Sequence, residues 1–206
     1  MIGDTGAKAV VLTASQRRLL RRYEIPCLYS LQHVDNLPSI QRRGILSHAD
    51  IGRIKHVDLS DEKVQRARSC LSIGGLDLHF YVPLFFRPLT PMEYVICVHE
   101  NKRDEVAMLE IDTSVFALPG VWFTDGNARA NATNFFDDLD DLDQLEWDIL
   151  NTPNAFSRRY RRIKSAEVLV PHKVRWNFVK RVCVTRACSQ SGRILVSHVC
   201  NDALFP

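Results

Sequence analysis

The apolar residues of this chain arrive in short runs: "CLYSLQHV" (27–34), "LHFYVPLFF" (78–86), "EYVICVHE" (93–100), "EVAMLEID" (105–112), "GVWFTDG" (120–126), "AEVLVP" (166–171), "FVKRVCVT" (178–185) and "RILVSHV" (193–199). Each is rich in β-branched or aromatic residues and ends in Gly, Pro, Asp or charge, the pattern of strands rather than of long helices. Two segments read as helices instead. "SQRRLLRR" (15–22) turns Leu19 and Leu20 inward, and "DNLPSIQRRGI" (35–45) carries a cap at Asp35 or Asn36, Pro38 in its first turn and Gly44 at its end. Strands interspersed with helices and long connections give a mixed α+β layout on a β core.

The connections carry the polar residues. Residues 47–77 are broken and charged, with a short helix expected over Asp61 to Arg68, and connections of that length within a domain tend to be functional. The prolines of "RPLTPM" preclude regular structure between the second and third strand-like runs. An acidic stretch, "FFDDLDDLDQLEWD", leads to the basic "RRYRRIK" just before "SAEVLVP". With 206 residues, 46% of them hydrophobic, the chain is expected to form a single domain over 1–206, with 1–25 an accessory N-terminal extension. No run reaches the roughly twenty apolar residues that cross a bilayer and the N-terminus has no signal-peptide layout, so the expectation is a cytoplasmic protein without membrane attachment.

Six cysteines occur without a C-x-x-C pair, and seven histidines without paired ligand spacing, so no metal is expected and most cysteines read as reduced core residues. The formal net charge of +3 conceals clusters of opposite sign: Arg17, Arg18, Arg21 and Arg22, then Arg158, Arg159, Arg161, Arg162 and Lys164, against the acidic stretch between them. Such clusters fit a polyanion such as a phosphate backbone, and equally a solvated face paired with the acidic segment.

No G-x-x-x-x-G-K-[ST], G-x-G-x-x-G or G-x-S-x-G occurs, which removes motif support for P-loop, Rossmann and hydrolase-elbow chemistry. Taken singly, the remaining candidates have structural readings as good as functional ones. His33 at a strand end can be a hydrogen-bonded structural residue, Arg66 and Arg68 a solvated helix face, and Asp125 a turn residue in Asp-Gly. Glu167 stands at the entrance of the apolar strand Val168–Val170, where a carboxylate needs an exposed strand end, a salt bridge or a functional reason.

Taken together, "HVDNLPSI" (33–40), "QRA" (65–67), "LHFYVPLFFRPLTPM" (78–92), "VWFTDGNARANATNFF" (121–136), "LDQLEWDIL" (142–150) and "AEVLV" (166–170) occur in the order and approximate spacing of the DarT family. The chain from about Tyr29 to Arg181 resembles these DNA ADP-ribosyltransferase toxins of bacterial toxin–antitoxin systems. The resemblance implies an ADP-ribosyltransferase-like split β-sheet core with peripheral helices, long functional loops and a cleft for NAD. It implies mono-ADP-ribosylation of a base in single-stranded DNA, thymine first and guanine as the alternative, with NAD as co-substrate and a macrodomain antitoxin as partner. A non-catalytic nucleic-acid-binding module of the same fold, a transferase acting on RNA or protein, and an NAD hydrolase are the other readings.

Carried over residue by residue, the resemblance puts Glu167 and Arg66 at the catalytic glutamate and arginine, and Gln32, His33 and Val34 at the NAD site, with Gln41 a further NAD contact. It puts the 47–68 connection on the NAD-binding element and 125–166 on the substrate-recognising loop. A carboxylate beside the ribose would stabilise the positive charge that develops when the nicotinamide bond breaks. Arg158, Arg159, Tyr160, Arg161 and Arg162 are the expected DNA-binding residues, by charge and stacking rather than by motif. The chain departs from the family in having His79-Phe80-Tyr81 where His-Asp-Tyr is common, Phe85-Phe86 where a tyrosine is usual, and a short connection between Arg66 and Leu78 that lacks a proline-rich character.

Overall fold

The computed structural model describes residues 11–152, 158–185 and 187–188. The strand expected at 193–199 lies outside the described residues. Helices are α1 (Ala14–Arg22), α2 (Leu37–Arg43), α3 (His48–Ile51), α4 (Glu62–Arg68), α5 (Pro91–Tyr94), α6 (Trp147–Asn151) and α7 (Arg158–Lys164). Strands are β1 (Leu28–His33), β2 (Ile45–Leu46), β3 (Ser72–Ile73), β4 (Leu76–Asp77), β5 (Tyr81–Phe85), β6 (Val106–Ile111), β7 (Trp122–Thr124), β8 (Phe135–Phe136), β9 (Glu167–Pro171), β10 (Lys173–Val174) and β11 (Val179–Cys183).

The main sheet has the order β11-β6-β1-β5-β9-β7-β8, with antiparallel pairing throughout. Its centre is where the fold opens. β1 pairs with β6 along six residues but with β5 only at Tyr29↔Phe85, so the two halves join at one end and part at the other. This is the expected α+β split sheet. Two short pairs, β2–β10 and β3–β4, flank it.

The core forms where alternate strand residues meet the helices. Val82, Leu84, Val168 and Val170 join Leu28, Leu109 and Ile111 in the main apolar cluster, while Leu169, on the opposite face of β9, packs with Leu78, Tyr81 and Ala128. The N-terminal segment contributes directly: Thr13 closes a capping box with Gln16, and Leu12, Leu20 and Ile25 are buried in the main cluster. Gly44 ends α2 at φ 86°, with Val174 O only 2.4 Å from where a Cβ would stand, so only glycine fits the crossing.

One expectation is corrected. "EYVICVHE" is helical, because Thr90 Oγ1 accepts from Glu93 N (3.2 Å) and Pro91 starts a turn of α5 that continues into a wider one closed by Glu100 N on Val95 O (2.9 Å). Ile96 and Cys97 face inward and Val95 and Val98 outward, a helical rather than an alternating division. Among the cysteines, the thiols of Cys27 and Cys97 are free and buried, Cys70 is free and exposed, and Cys183 is disulfide-bonded.

Candidate active site

Glu167 opens β9 directly across the ladder from Phe85 and is 2% exposed. The question its sequence position raised is answered by its partners. Its Oε2 accepts from Arg68 Nη1 at 2.7 Å, and its Oε1 from the Ala128 backbone N–H at 3.1 Å. Thr124 on the neighbouring β7 fixes the backbone, its Oγ1 accepting from Glu167 N at 2.9 Å. A carboxylate so buried stays tolerable only with a paired charge and hydrogen bonds on both oxygens, and it has both.

The loop after β7 supplies the second of those bonds. Asp125 accepts from Asn134 N and Nδ2, both at 2.9 Å, and from Arg162 Nη1 at 2.9 Å, while Asn127 N donates to Arg162 O at 2.9 Å. "FTDGN" is therefore a turn, and one that delivers the Ala128 N–H to the glutamate.

α4 supplies the arginine. Arg68 is four residues after Val64, on the face the helix turns inward, whereas Arg66 shares a face with Glu62. Arg66 is the expected catalytic arginine, yet its side chain is 74% exposed and its ion-pair partner is Glu62 at 3.9 Å. Arg68 is the residue on Glu167, because positions two apart on a helix point about 200° apart. The Val64/Arg68 spacing was the available signal. Arg68 Nη2 is buried with no hydrogen-bond partner among the described residues, so its donors remain for a ligand.

The cleft lies where β1 and β5 part. Ser30 and Gln32 of β1 form one wall and Val82, Pro83 and Phe85 of β5 another, with the connection from Ser47 to Gln65 covering it. Its cavity volume is about 200 Å³, and it is partly open to solvent. Phe85 and Gln65 connect it to the Glu167–Arg68 pair, the first opposite Glu167 and the second one turn before Arg68. His48, also in the lining, has its pKa lowered by burial first and then by the neighbouring His79.

The expected cofactor-binding residues divide. Gln32 lines the cleft and donates to Ser30 Oγ at 2.9 Å. His33 is buried and outside the cleft lining; its Nδ1 accepts from Asp35 N at 3.2 Å and its Nε2 lies 3.6 Å from Glu105 Oε2. Val34 is core, and Gln41 is an exposed residue of α2 outside the lining.

The basic helix α7 divides too. Arg161 and Tyr160 are exposed, and Arg159 is exposed but paired with Glu146. Arg162, expected on DNA, is instead half-buried in the Asp125 brace, and Lys164 is buried against the carbonyls of Leu150 and Thr152. Arg158 begins the helix, and its side chain lies outside the described residues.

Comparison with known proteins agrees with this architecture. A family model described as "ssDNA thymidine ADP-ribosyltransferase, DarT" matches residues 29–191. A DNA ADP-ribosyl transferase of Thermus sp. (strain 2.9) is 30% identical over 177 residues, covering 80% of this chain and 84% of that protein. A DNA ADP-ribosyl transferase–DNA ADP-ribosyl glycohydrolase fusion protein of Thermosipho africanus is 33% identical over 112 residues, which are 53% of this chain and 29% of the fusion. The solved structure of Thermus sp. 2.9 DarT in complex with carba-NAD+ superposes with a TM-score of 0.69 at 25% identity, covering 82% of this chain and 87% of that one.

Proposed function

The chain belongs to the DarT family of DNA ADP-ribosyltransferases, which use NAD, and on that premise we propose that it transfers ADP-ribose from NAD to a thymine base of single-stranded DNA. The observation that carries this reading is Glu167, opposite Phe85 where the halves of the split sheet join, held between the Arg68 guanidinium and the Ala128 N–H. The family description names thymidine, and the carba-NAD+ complex of the Thermus relative puts a dinucleotide on the same fold.

NAD occupies the cleft between β1 and β5, against Gln32 and under the 47–65 connection. As the bond from ribose to nicotinamide breaks, positive charge grows at the anomeric carbon, and the fixed Glu167 carboxylate stabilises it without having to reorient. The base nitrogen forms the new bond to that carbon, nicotinamide departs with the bonding pair, and the base gives up its N–H proton to solvent water. A guanidinium stays protonated, so Arg68 polarises the base through its free Nη2 donors rather than taking the proton. DNA crosses the exposed side of α7, where Arg159 and Arg161 meet phosphate and Tyr160 stacks on a base.

Base modification would stop copying of DNA in the cytoplasm, which makes the enzyme a toxin and calls for an activity that removes the mark. The Thermosipho relative, whose name joins transferase and glycohydrolase in one protein, supports a macrodomain antitoxin as the partner. The test is incubation with labelled NAD and separate pools of single-stranded DNA, duplex DNA, RNA and protein, with nucleosides weighed after digestion. Label in single-stranded DNA on thymidine is expected. ADP-ribosyl-guanosine would overturn the base assignment, and no label in single-stranded DNA would overturn the function.

A further inference from the structure

α4 is seven residues long, too short to hold its shape unaided, yet it must keep Arg68 within hydrogen-bond distance of Glu167. Its start is fixed by Asp61, whose Oδ1 accepts from Lys63 N and Val64 N. Its end is fixed from outside the helix. His79 Nε2 lies 2.7 Å from Gln65 O, and because a carbonyl only accepts, the imidazole is the donor and carries its proton on Nε2. The same carbonyl accepts from Ser69 N at 3.0 Å, so it anchors the turn that contains Arg68.

His79 stands in the short turn Leu78–Phe80 that runs straight into β5, and β5 is the strand paired with β9 at Phe85↔Glu167. One side chain thus connects the strand pair that carries the glutamate to the helix that carries the arginine. Leu78 N on Leu71 O (2.8 Å) adds a second tie beyond α4. The His79 ring is itself held: the His48 ring lies 4.8 Å away at 55°, on the cleft wall formed by α3.

We propose that His79 is a positioning residue for the transfer reaction: by donating to the Gln65 carbonyl it sets Arg68 against Glu167, while touching neither of them. The proposal rests on the functional reading above. Its consequence is a turnover effect rather than a binding effect, because misplacing a catalytic group costs rate even when the substrate is still held.

Two substitutions separate donor from packing. His79→Phe keeps a ring against His48 and removes the donor; His79→Gln removes the ring and can present an amide N–H near the Nε2 position. The expected result is that His79→Phe lowers kcat about tenfold to a hundredfold with KM for NAD within about twofold. His79→Gln should recover most of the loss, and His79→Phe should have no further effect in an Arg68→Ala background. Exchange of the Ser69 amide hydrogen should quicken in His79→Phe, a readout independent of activity. Unchanged kcat in His79→Phe, equal losses in Phe and Gln variants, or a full additional loss on top of Arg68→Ala would each overturn the proposal. A wild-type protein that labels no single-stranded DNA would instead overturn the functional reading, while the Ser69 exchange would still decide whether His79 anchors α4.

Discussion

Arg68 Nη1 meets Glu167 Oε2 at 2.7 Å across 99 positions of sequence, and both side chains are buried. Taking two charges out of water is costly, and their pairing offsets that cost only while both are present. Replacing Arg68 with alanine should leave Glu167 uncompensated and destabilise the fold by about 3–5 kcal/mol, and should lower transfer about a hundredfold to a thousandfold while leaving a rate that can be measured. Arg66→Ala removes an exposed pair with Glu62 and should leave turnover within about twofold. Parallel urea melts and labelled-NAD assays of the two variants give the comparison; a larger activity loss for Arg66→Ala would restore Arg66 as the catalytic arginine.

Glu167→Gln preserves shape and can still accept from Ala128 N, but it removes the negative charge. Transfer should fall by about a hundredfold or more, with the far-ultraviolet circular dichroism unchanged. Turnover near that of the wild type would remove the carboxylate from the mechanism.

On α7, neighbouring arginines should behave differently. Arg161→Ala should weaken binding of single-stranded DNA and flatten its salt dependence by about one phosphate contact, leaving thermal stability unchanged. Arg162→Ala should lower Tm, because it removes the brace on Asp125 that sets the loop ending at Ala128. Fluorescence anisotropy across a salt series, paired with melting curves, separates the two effects. An Arg162→Ala protein of full stability with weakened DNA affinity would return Arg162 to the DNA path.

Glu93 makes stability depend on pH. Its carboxyl group is buried, and burial, opposed in part by the Thr90 backbone and the Arg103 charge, pushes its pKa from 4.5 to about 8. The folded chain therefore binds more protons than the unfolded one between those values. The group's contribution to stability is full below pH 4.5 and is lost as pH rises through about 8. Urea midpoints of Glu93→Gln should lack this decline and exceed those of the wild type at pH 9; a decline of equal slope in both proteins would assign it elsewhere.

Leu20, on α1, is 3% exposed within the main core. Leu20→Ala should cost about 2–5 kcal/mol in urea unfolding, which would make the N-terminal helix part of the fold. A loss below about 0.5 kcal/mol would return it to the status of an accessory.

Much of the molecule follows from local sequence. The alternation of "CLYSLQHV" and the short apolar runs of "EVAMLEID" and "AEVLVP" dictate strands, and Pro38 and Gly44 bracket α2, because these signals act over a few residues. The motifs of the resemblance likewise suffice for the family and single out Glu167. "EYVICVHE" was misleading because β-branched composition outweighed a cap at Thr90 whose effect depends on where Ile96 and Cys97 can be buried. What local sequence could not decide is which polar groups meet. Arg66 and Arg68 differ by two positions and point to opposite sides of one helix, and Arg161 and Arg162 are adjacent yet divide between solvent and brace. Such choices depend on where α4 and α7 are set against β5, β7 and β9. That placement follows from burial and hydrogen bonds between segments far apart in the chain, from Gln65 to His79 and from Arg68 to Glu167, and only the tertiary structure contains it.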